Sequence, residues 1–302
     1  MSVKRRDFVV GAAAVPLLAL LSGPAIDGSD DKRQRLACNS WPFRGYFDTP
    51  QMPGYRNPQD PLLTQAEFPQ FIADHFRIHN IEFLPQHFVD TQPPTIERVK
   101  AGLKKASSRC CNLMGVELPG NVFARDADRQ AMAREAERWA AVAVALGSPC
   151  ITVALSGAGP VNAQTAAYNL SPAVDAVHQH GIKVLFHNDD LERESADTLT
   201  SIIQGLGRNR TGTCPDFGNF ATKSAAFALS QLQMLAPYAS IICHSKDGIA
   251  EKGKFYSDDF PASMRIMHDI GFRGLYSLEF EGLGSAPDGV RKLMNLTEEY
   301  LE

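Results

Sequence analysis

Lys183-Val-Leu-Phe-His187-Asn188-Asp189 is a short apolar run that ends in polar residues, and three later stretches repeat its plan. They are Gly212-Thr-Cys-Pro-Asp216-Phe-Gly-Asn219, Ser240-Ile-Ile-Cys-His244-Ser-Lys246-Asp247 and Gly274-Leu-Tyr-Ser-Leu-Glu279-Phe-Glu281-Gly282. Apolar runs of ~4–8 residues bounded by turn signals read as strands buried on both faces. Each of these runs closes on imidazole, carboxylate or ammonium.

The same cadence continues upstream. Strands are expected at Leu36–Ser40, Ile81–Leu84, Asn112–Leu118, Cys150–Leu155, Lys183–Asn188, Gly212–Phe217, Ser240–His244 and Gly274–Phe280. Amphipathic stretches such as Ala127–Leu146 and Ala163–His180 lie between them. Strands alternating with helices imply parallel pairing through right-handed crossovers. Eight such units predict an α/β fold, a single (β/α)8 TIM barrel with outer helices over residues 32–302. An open doubly wound sheet is the alternative, but no Gly-x-Gly-x-x-Gly turn follows the first strand. Gly147, Gly181, Gly207 and Gly271 each fall just past a helical pattern, where a left-handed cap belongs. Two connections are long, Pro42 to Leu62 and Lys246 to Ser257. Both follow strands and so belong to the C-terminal face, where such barrels place their active sites, as lids or as ordered surface loops.

The N-terminus stands apart. Lys4-Arg5-Arg6-Asp7-Phe8-Val9, the apolar run Gly11 to Leu21 and Ser22-Gly23-Pro24-Ala25 read as an export signal that resembles the twin-arginine type, with an ordinary Sec signal or a membrane-anchoring helix as the alternatives. Residues 1–31 are therefore read as signal peptide and linker, with the periplasm as destination. Without residues 1–25 the formal charge moves from −4 to about −6. So acidic a chain lacks the electrostatic footprint of a nucleic-acid binder. Its six cysteines (38, 110, 111, 150, 214 and 243) lie in apolar runs without zinc-type spacing, which reads as buried free thiols.

Strand alternation places Leu185, His187 and Asp189 on one face and Ser277, Glu279 and Glu281 on another. If those faces point inward, His187, Asp216, His244 and Glu279 converge from four neighbouring strands. Mixed imidazole and carboxylate ligands suit zinc, manganese, iron or cobalt. A lone strand-end histidine is usually a core residue and a lone aspartate a helix cap, but four together would be costly to bury without a cation. Glu82 and Glu117 sit where they could bind hydroxyls, act as a base or be structural. Trp41, Phe43 and His87 could stack on a sugar or pack in the core. Lys246 could polarise an oxygen or pair with Asp247.

Cys-Pro-Asp216-Phe-Gly-Asn219, His244-Ser-Lys246-Asp247 and Ser-Leu-Glu279-Phe-Glu281-Gly282 resemble the xylose isomerase-like barrel superfamily of sugar phosphate isomerases and epimerases. The resemblance covers roughly residues 34–300. It implies one divalent metal (manganese, magnesium, cobalt or zinc) held by residues matching Asp216, His244 and Glu279, and a carbohydrate substrate. It departs at the fifth strand, where His187 stands in place of the glutamate of many members; Phe186-His187-Asn188-Asp189 is closer to a His-Asn-His branch.

The expected activity is metal-dependent isomerisation or epimerisation of a sugar or keto-sugar through an enediolate. Glu279 would move the proton on one face, and His187 or Glu82 on the other. β-Elimination from a 3-keto-glycoside begins with the same proton abstraction. A non-catalytic sugar- or metal-binding barrel is the rival from another class, because His187 replaces glutamate. Phosphodiester cleavage would call for more metal ligands and a basic groove. Trp41, His87, Glu117, Asn188, Asn219 and Glu281 are the expected substrate contacts. The expected partners are a small carbohydrate and the twin-arginine export machinery, with a homo-oligomer left open and nucleic acid excluded.

Overall fold

The structure, a computed structural model, describes residues 32–301. The expected export segment, residues 1–31, lies outside them, as does residue 302. Eight strands make the barrel wall: β1 (Leu36–Asn39), β2 (Asn80–Phe83), β3 (Arg109–Glu117), β4 (Cys150–Ala154), β5 (Lys183–His187), β6 (Thr211–Cys214), β7 (Ile242–Ser245) and β10 (Leu275–Leu278). All neighbours in the order β6-β5-β4-β3-β2-β1-β10-β7 pair in parallel. β6 and β7 share no regular ladder. The seam between them is closed just beyond β6, where His244 N donates to Pro215 O at 2.9 Å and Phe217 N to His244 O at 3.3 Å. The resulting bridge pairs Asp216 with His244, two of the expected ligands.

The crossovers run through α1 (Phe68–Phe76), α2 (Pro93–Lys105), α3 (Arg129–Leu146), α4 (Ala163–His178), α5 (Ala196–Leu206), α6 (Ala225–Leu235), α7 (Phe260–Asp269) and α8 (Ala286–Tyr300). From α3 onward each helix starts on a side-chain cap: Asp128, Asn162, Ser195, Ser224, Asp259 and Ser285 accept from a backbone N–H in the first turn. Such caps contribute about 1 kcal/mol each and fix where the chain turns from strand-end loop into helix. α1 and α2 instead begin with proline in the first turn, where the missing N–H costs nothing. Gly147, Gly181, Gly207 and Gly271 all adopt positive φ.

Alternation along the strands divides the interior as expected. Val184 and Phe186 of β5 face the helices in the main core, while Leu185 belongs to a small cluster inside the barrel with Ala37, Cys111, Cys150, Cys214 and Ile242. All six cysteines are buried and free. Burial pushes the Cys110 thiol up to about 12 and the Cys214 thiol up to about 11, so these act as compact apolar fillers rather than nucleophiles.

The segment expected as a polar loop after β7 is instead a hairpin, β8 (Gly248–Glu251) against β9 (Lys254–Ser257). Lys252 and Gly253 supply the two positive φ values of a tight two-residue turn. The hairpin is fastened to the barrel mouth: Ala250 N donates to Glu281 O at 2.8 Å. At its base Asp258 N donates to Asp247 O at 3.0 Å, and the Asp258 carboxylate accepts from Ser263 Oγ at 2.6 Å. Its other oxygen is buried without a hydrogen-bond partner. Burial raises this carboxyl from 3.8 to about 7.

A carboxyl raised in the folded state stabilises the fold fully below its unfolded value, and that contribution is lost as pH rises through about 7. Asp258→Asn should therefore unfold ~2–4 °C above wild type near pH 8 and show no such advantage near pH 4. Thermal denaturation by circular dichroism at the two pH values checks this. A gain of equal size at both would contradict it.

Candidate metal centre

β5 to β7 and β10 deliver the four expected ligands to one point because each ends in the same layer of the barrel. One ligand atom from each of His187, Asp216, His244 and Glu279 lies within 4.8 Å of the others, and all four residues are buried. His244 Nδ1 is 3.1 Å from His187 Nε2, 3.0 Å from Glu279 Oε2 and 3.7 Å from Asp216 Oδ2. His187 Nε2 is 3.8 Å from Asp216 Oδ2.

The rotamers are held from behind. Asp216 Oδ1 accepts from Gly218 N and Asn219 N, each at 2.8 Å, which turns Oδ2 toward the imidazoles. Asn188 clamps the Asp216 backbone, accepting from its N–H at 2.7 Å and donating to its carbonyl at 3.0 Å. Asn39 donates to Glu279 Oε2. His244 Nε2 lies 3.2 Å from Glu82, whose carboxylate also accepts from Ser277 Oγ and Asn112 Nδ2, each at 2.6 Å. A carboxylate behind one ring nitrogen fixes the tautomer and leaves the other nitrogen for a metal.

Lys246 completes the cluster. It is fully buried, with Nζ 2.8 Å from Glu279, 2.6 Å from Glu281, 3.3 Å from Asp216 and 2.5 Å from Asn219 Oδ1. Burial alone would raise the Asp216 and Glu279 carboxyls, but the Lys246 cation outweighs it and holds both below the usual range. Burial would likewise lower His187 and His244, yet Asp216 and Glu279 keep His187 above its ordinary value, and Cys214, Glu82 and Glu279 do the same for His244.

These residues fit a divalent cation. Asp216, Glu279 and Glu281 are three carboxylates sharing one lysine, Glu82 adds a fourth beyond His244, and Asp216 Oδ2 is buried without a hydrogen-bond partner. Imidazole nitrogens mixed with carboxylate oxygens are the donors such ions take.

A cavity of about 320 Å³ opens over this cluster, with His187, Glu279, Glu281, Asp189 and Trp41 on its walls. The family model described as xylose isomerase-like TIM barrel matches residues 75–300. The chain belongs to that family. Solved structures of the same fold include a sugar phosphate isomerase/epimerase from Parabacteroides distasonis (TM-score 0.66, 12% identity, covering 95% of this chain and 100% of that one). Another is a probable 3-DHS dehydratase from Bacillus anthracis (0.64, 15%, 87% and 98%). A third is a xylose isomerase-like TIM barrel protein from Mycobacterium smegmatis in complex with magnesium (0.62, 13%, 89% and 98%). At these identities they show a shared fold. No curated protein matches the chain in sequence.

Within this xylose isomerase-like barrel the expected substrate contacts divide. Trp41, Glu117 and Glu281 line the cavity, and Trp41 Nε1 donates to Glu281 Oε1 at 2.5 Å. His87 does not reach it: the ring is fully buried, stacks on Phe47 at 4.3 Å and is lowered to about 3 by burial and by Arg44. Asn188 and Asn219 stand behind the ligands, with Asn219 Nδ2 donating to Asn188 O at 3.1 Å. Glu82 is fully buried beneath His244 rather than on the cavity wall. Lys246 pairs with the ligand carboxylates, while Asp247 turns toward Lys292 at 4.0 Å.

Two cavity carboxylates were missed as candidates by the sequence reading, Asp189 and Glu194. Asp189 shares its strand face with His187, so alternation carried the signal. Glu194 carried none: its carboxylate accepts from Leu155 N, Asp189 N and Asp190 N, contacts that exist only after folding.

Two outcomes follow from the centre's electrostatics. Imidazoles held above their ordinary value shed protons when a cation replaces them. Titrating zinc or manganese into the metal-stripped protein near pH 7 should release protons, seen as a binding enthalpy that varies with the ionisation enthalpy of the buffer. A buffer-independent enthalpy would contradict it. Glu82→Gln, which weakens the support behind His244, should lower metal affinity ~10–100-fold in competition with a chromogenic chelator, with the fold retained.

Proposed function

We propose that the chain is a divalent-metal-dependent enzyme that moves a proton on the carbon next to a carbonyl in a sugar or keto-sugar, as an isomerase or epimerase. The observation that carries this reading is the convergence of His187, Asp216, His244 and Glu279, two of which, His187 and Glu279, line a cavity sized for a small molecule. His187, Asp216, His244 and Glu279 would hold one ion, of manganese, magnesium, cobalt or zinc. When bound, it supplies Lewis-acid polarisation of adjacent hydroxyl and carbonyl oxygens, which acidifies the carbon-bound proton.

The protein's own groups would move that proton. Glu279 and Asp189 line the cavity from just beyond the ends of β10 and β5, with opposite electrostatic bias. Lys246 holds Glu279 ionised, whereas burial raises the Asp189 carboxyl. Carboxyls pushed apart in this way divide base and acid roles between them. Glu279 takes the proton, and Asp189 or His187 returns one at the other side. Trp41 and Glu281 orient the ring, with the indole N–H fixing the carboxylate.

The raised Asp189 carboxyl also favours a second reading, β-elimination from a 3-keto-glycoside, because a departing oxygen needs a proton donor. A dehydratase sits among the structural neighbours. We propose the periplasm as the site of action, on the strength of Lys4-Arg5-Arg6 and the apolar run after it. Among the described residues no helix is long and apolar enough to cross a membrane.

The test is solvent-deuterium incorporation into keto-sugars, followed by NMR on metal-loaded protein. Exchange is expected in the wild type, with a loss of ~10²–10⁴-fold in Glu279→Gln. Wild-type rates in the variant would remove Glu279 from proton transfer. Exchange accompanied by loss of an oxygen substituent would select the lyase reading.

A further inference from the structure

The cavity over the metal centre does not end at the reacting ring. A second cavity of about 440 Å³ adjoins it, and Gln51, Gln86 and Glu117 line both. The second cavity runs outward between the segment after β2 and the middle of α3, and its walls are of mixed character. Phe88 and Trp139 form an apolar floor, their rings 6.0 Å apart edge to face. Arg138 lies over the Trp139 ring at 4.7 Å, donates to Thr91 Oγ1 at 2.7 Å and pairs with Glu135.

The wall between the two cavities is organised around Gln86. Its amide nitrogen is committed twice, to Gly115 O at 2.9 Å and to Glu117 Oε1 at 3.0 Å. Its amide oxygen is buried and has no hydrogen-bond partner. The amide is thus fixed in orientation in the wall that both cavities share, with its acceptor left unsatisfied. Leaving such a group unsatisfied costs ~1–3 kcal/mol. Gly115, at the β3 bulge with φ +80°, lines the first cavity beside it, and a Cβ there would come 4.0 Å from the Gln86 amide.

We infer that this second cavity is a subsite for another hydroxyl-rich ring, so that the natural substrate is a glycoside or disaccharide rather than a free monosaccharide. The inference rests on the sugar reading above and names its substrate class. Fixed planar amide and carboxylate groups above an aromatic floor suit neutral polyols. A phosphorylated ligand does not fit, because Asp90, Glu117 and Glu135 set three carboxylates against Arg138, which Glu135 already pairs. The reacting ring sits over Glu279, and its glycosidic oxygen passes Gln86 toward Arg138.

The experiment compares binding of 3-keto-glucose and 3-keto-cellobiose to the metal-loaded full chain by calorimetry, with deuterium exchange followed on both. The disaccharide should bind ~10-fold or more tightly. Arg138→Ala and Glu135→Gln, both outside the first cavity, should each reduce that advantage ~3–10-fold and leave the monosaccharide unchanged. Equal affinity for the two sugars in the wild type, or an advantage untouched in both variants, overturns the subsite. Exchange on both sugars at equal KM also overturns it while leaving the proton-transfer reading in place. A disaccharide advantage without exchange on either ring supports the subsite and removes that reading instead.

Discussion

A single buried ammonium makes the interior of this barrel mouth tenable. Lys246 stands among Asp216, Glu279 and Glu281 with no exposure to solvent, and Glu82 adds a further carboxylate on the far side of His244. Four acids cannot be taken out of water around one cation without a large penalty. The remaining imbalance is met by protons on His187 and His244 or by a divalent ion among them. Removing Lys246 would leave the carboxylates to repel one another, and removing the carboxylates would strand the lysine. The cluster is interdependent, and the closure of the barrel runs through it at the Asp216–His244 bridge.

That closure explains why structure and chemistry coincide here. β6 ends at Cys214, and the backbone bonds joining it to β7 are made by Pro215 and Phe217 with His244. The seam therefore sets the spacing of two ligands, while β5 and β10 bring His187 and Glu279 in register from either side. Supporting groups sit where first-row ligands need them: Glu82 behind His244, Asn39 behind Glu279, and the Asp216 turn behind its own carboxylate. Three of the four side chains are thus held by buried groups behind them, which limits their motion.

The two long connections do different work from each other. The segment after β1 brings Gln51, Met52 and Tyr55 over the cavity and shapes it. The segment after β7 folds into a hairpin whose backbone is tied to Glu281. The first segment and the wall around Gln86 thus shape the cavity, whereas the hairpin fixes one edge of the centre itself.

The residues alone settled the barrel count, the approximate spans of its helices, and the convergence of His187, Asp216, His244 and Glu279. All of these follow from local rules: strand alternation, helical periodicity and the placement of polar residues at strand ends. The tertiary structure decided what those rules cannot reach. Glu82 and His87 both follow apolar strand residues and read as site candidates, yet one supports His244 from below and the other packs on Phe47. Which way a strand-end side chain points into a closed barrel depends on its neighbours' register, including the shifts at Ile81/Glu82 and Met114/Val116. The hairpin also escaped sequence reading, because its four-residue strands pair with each other and bury little apolar surface. The electrostatic split between Glu279 and Asp189 is of the same kind: burial and the position of Lys246 create it, and neither exists before the chain has folded.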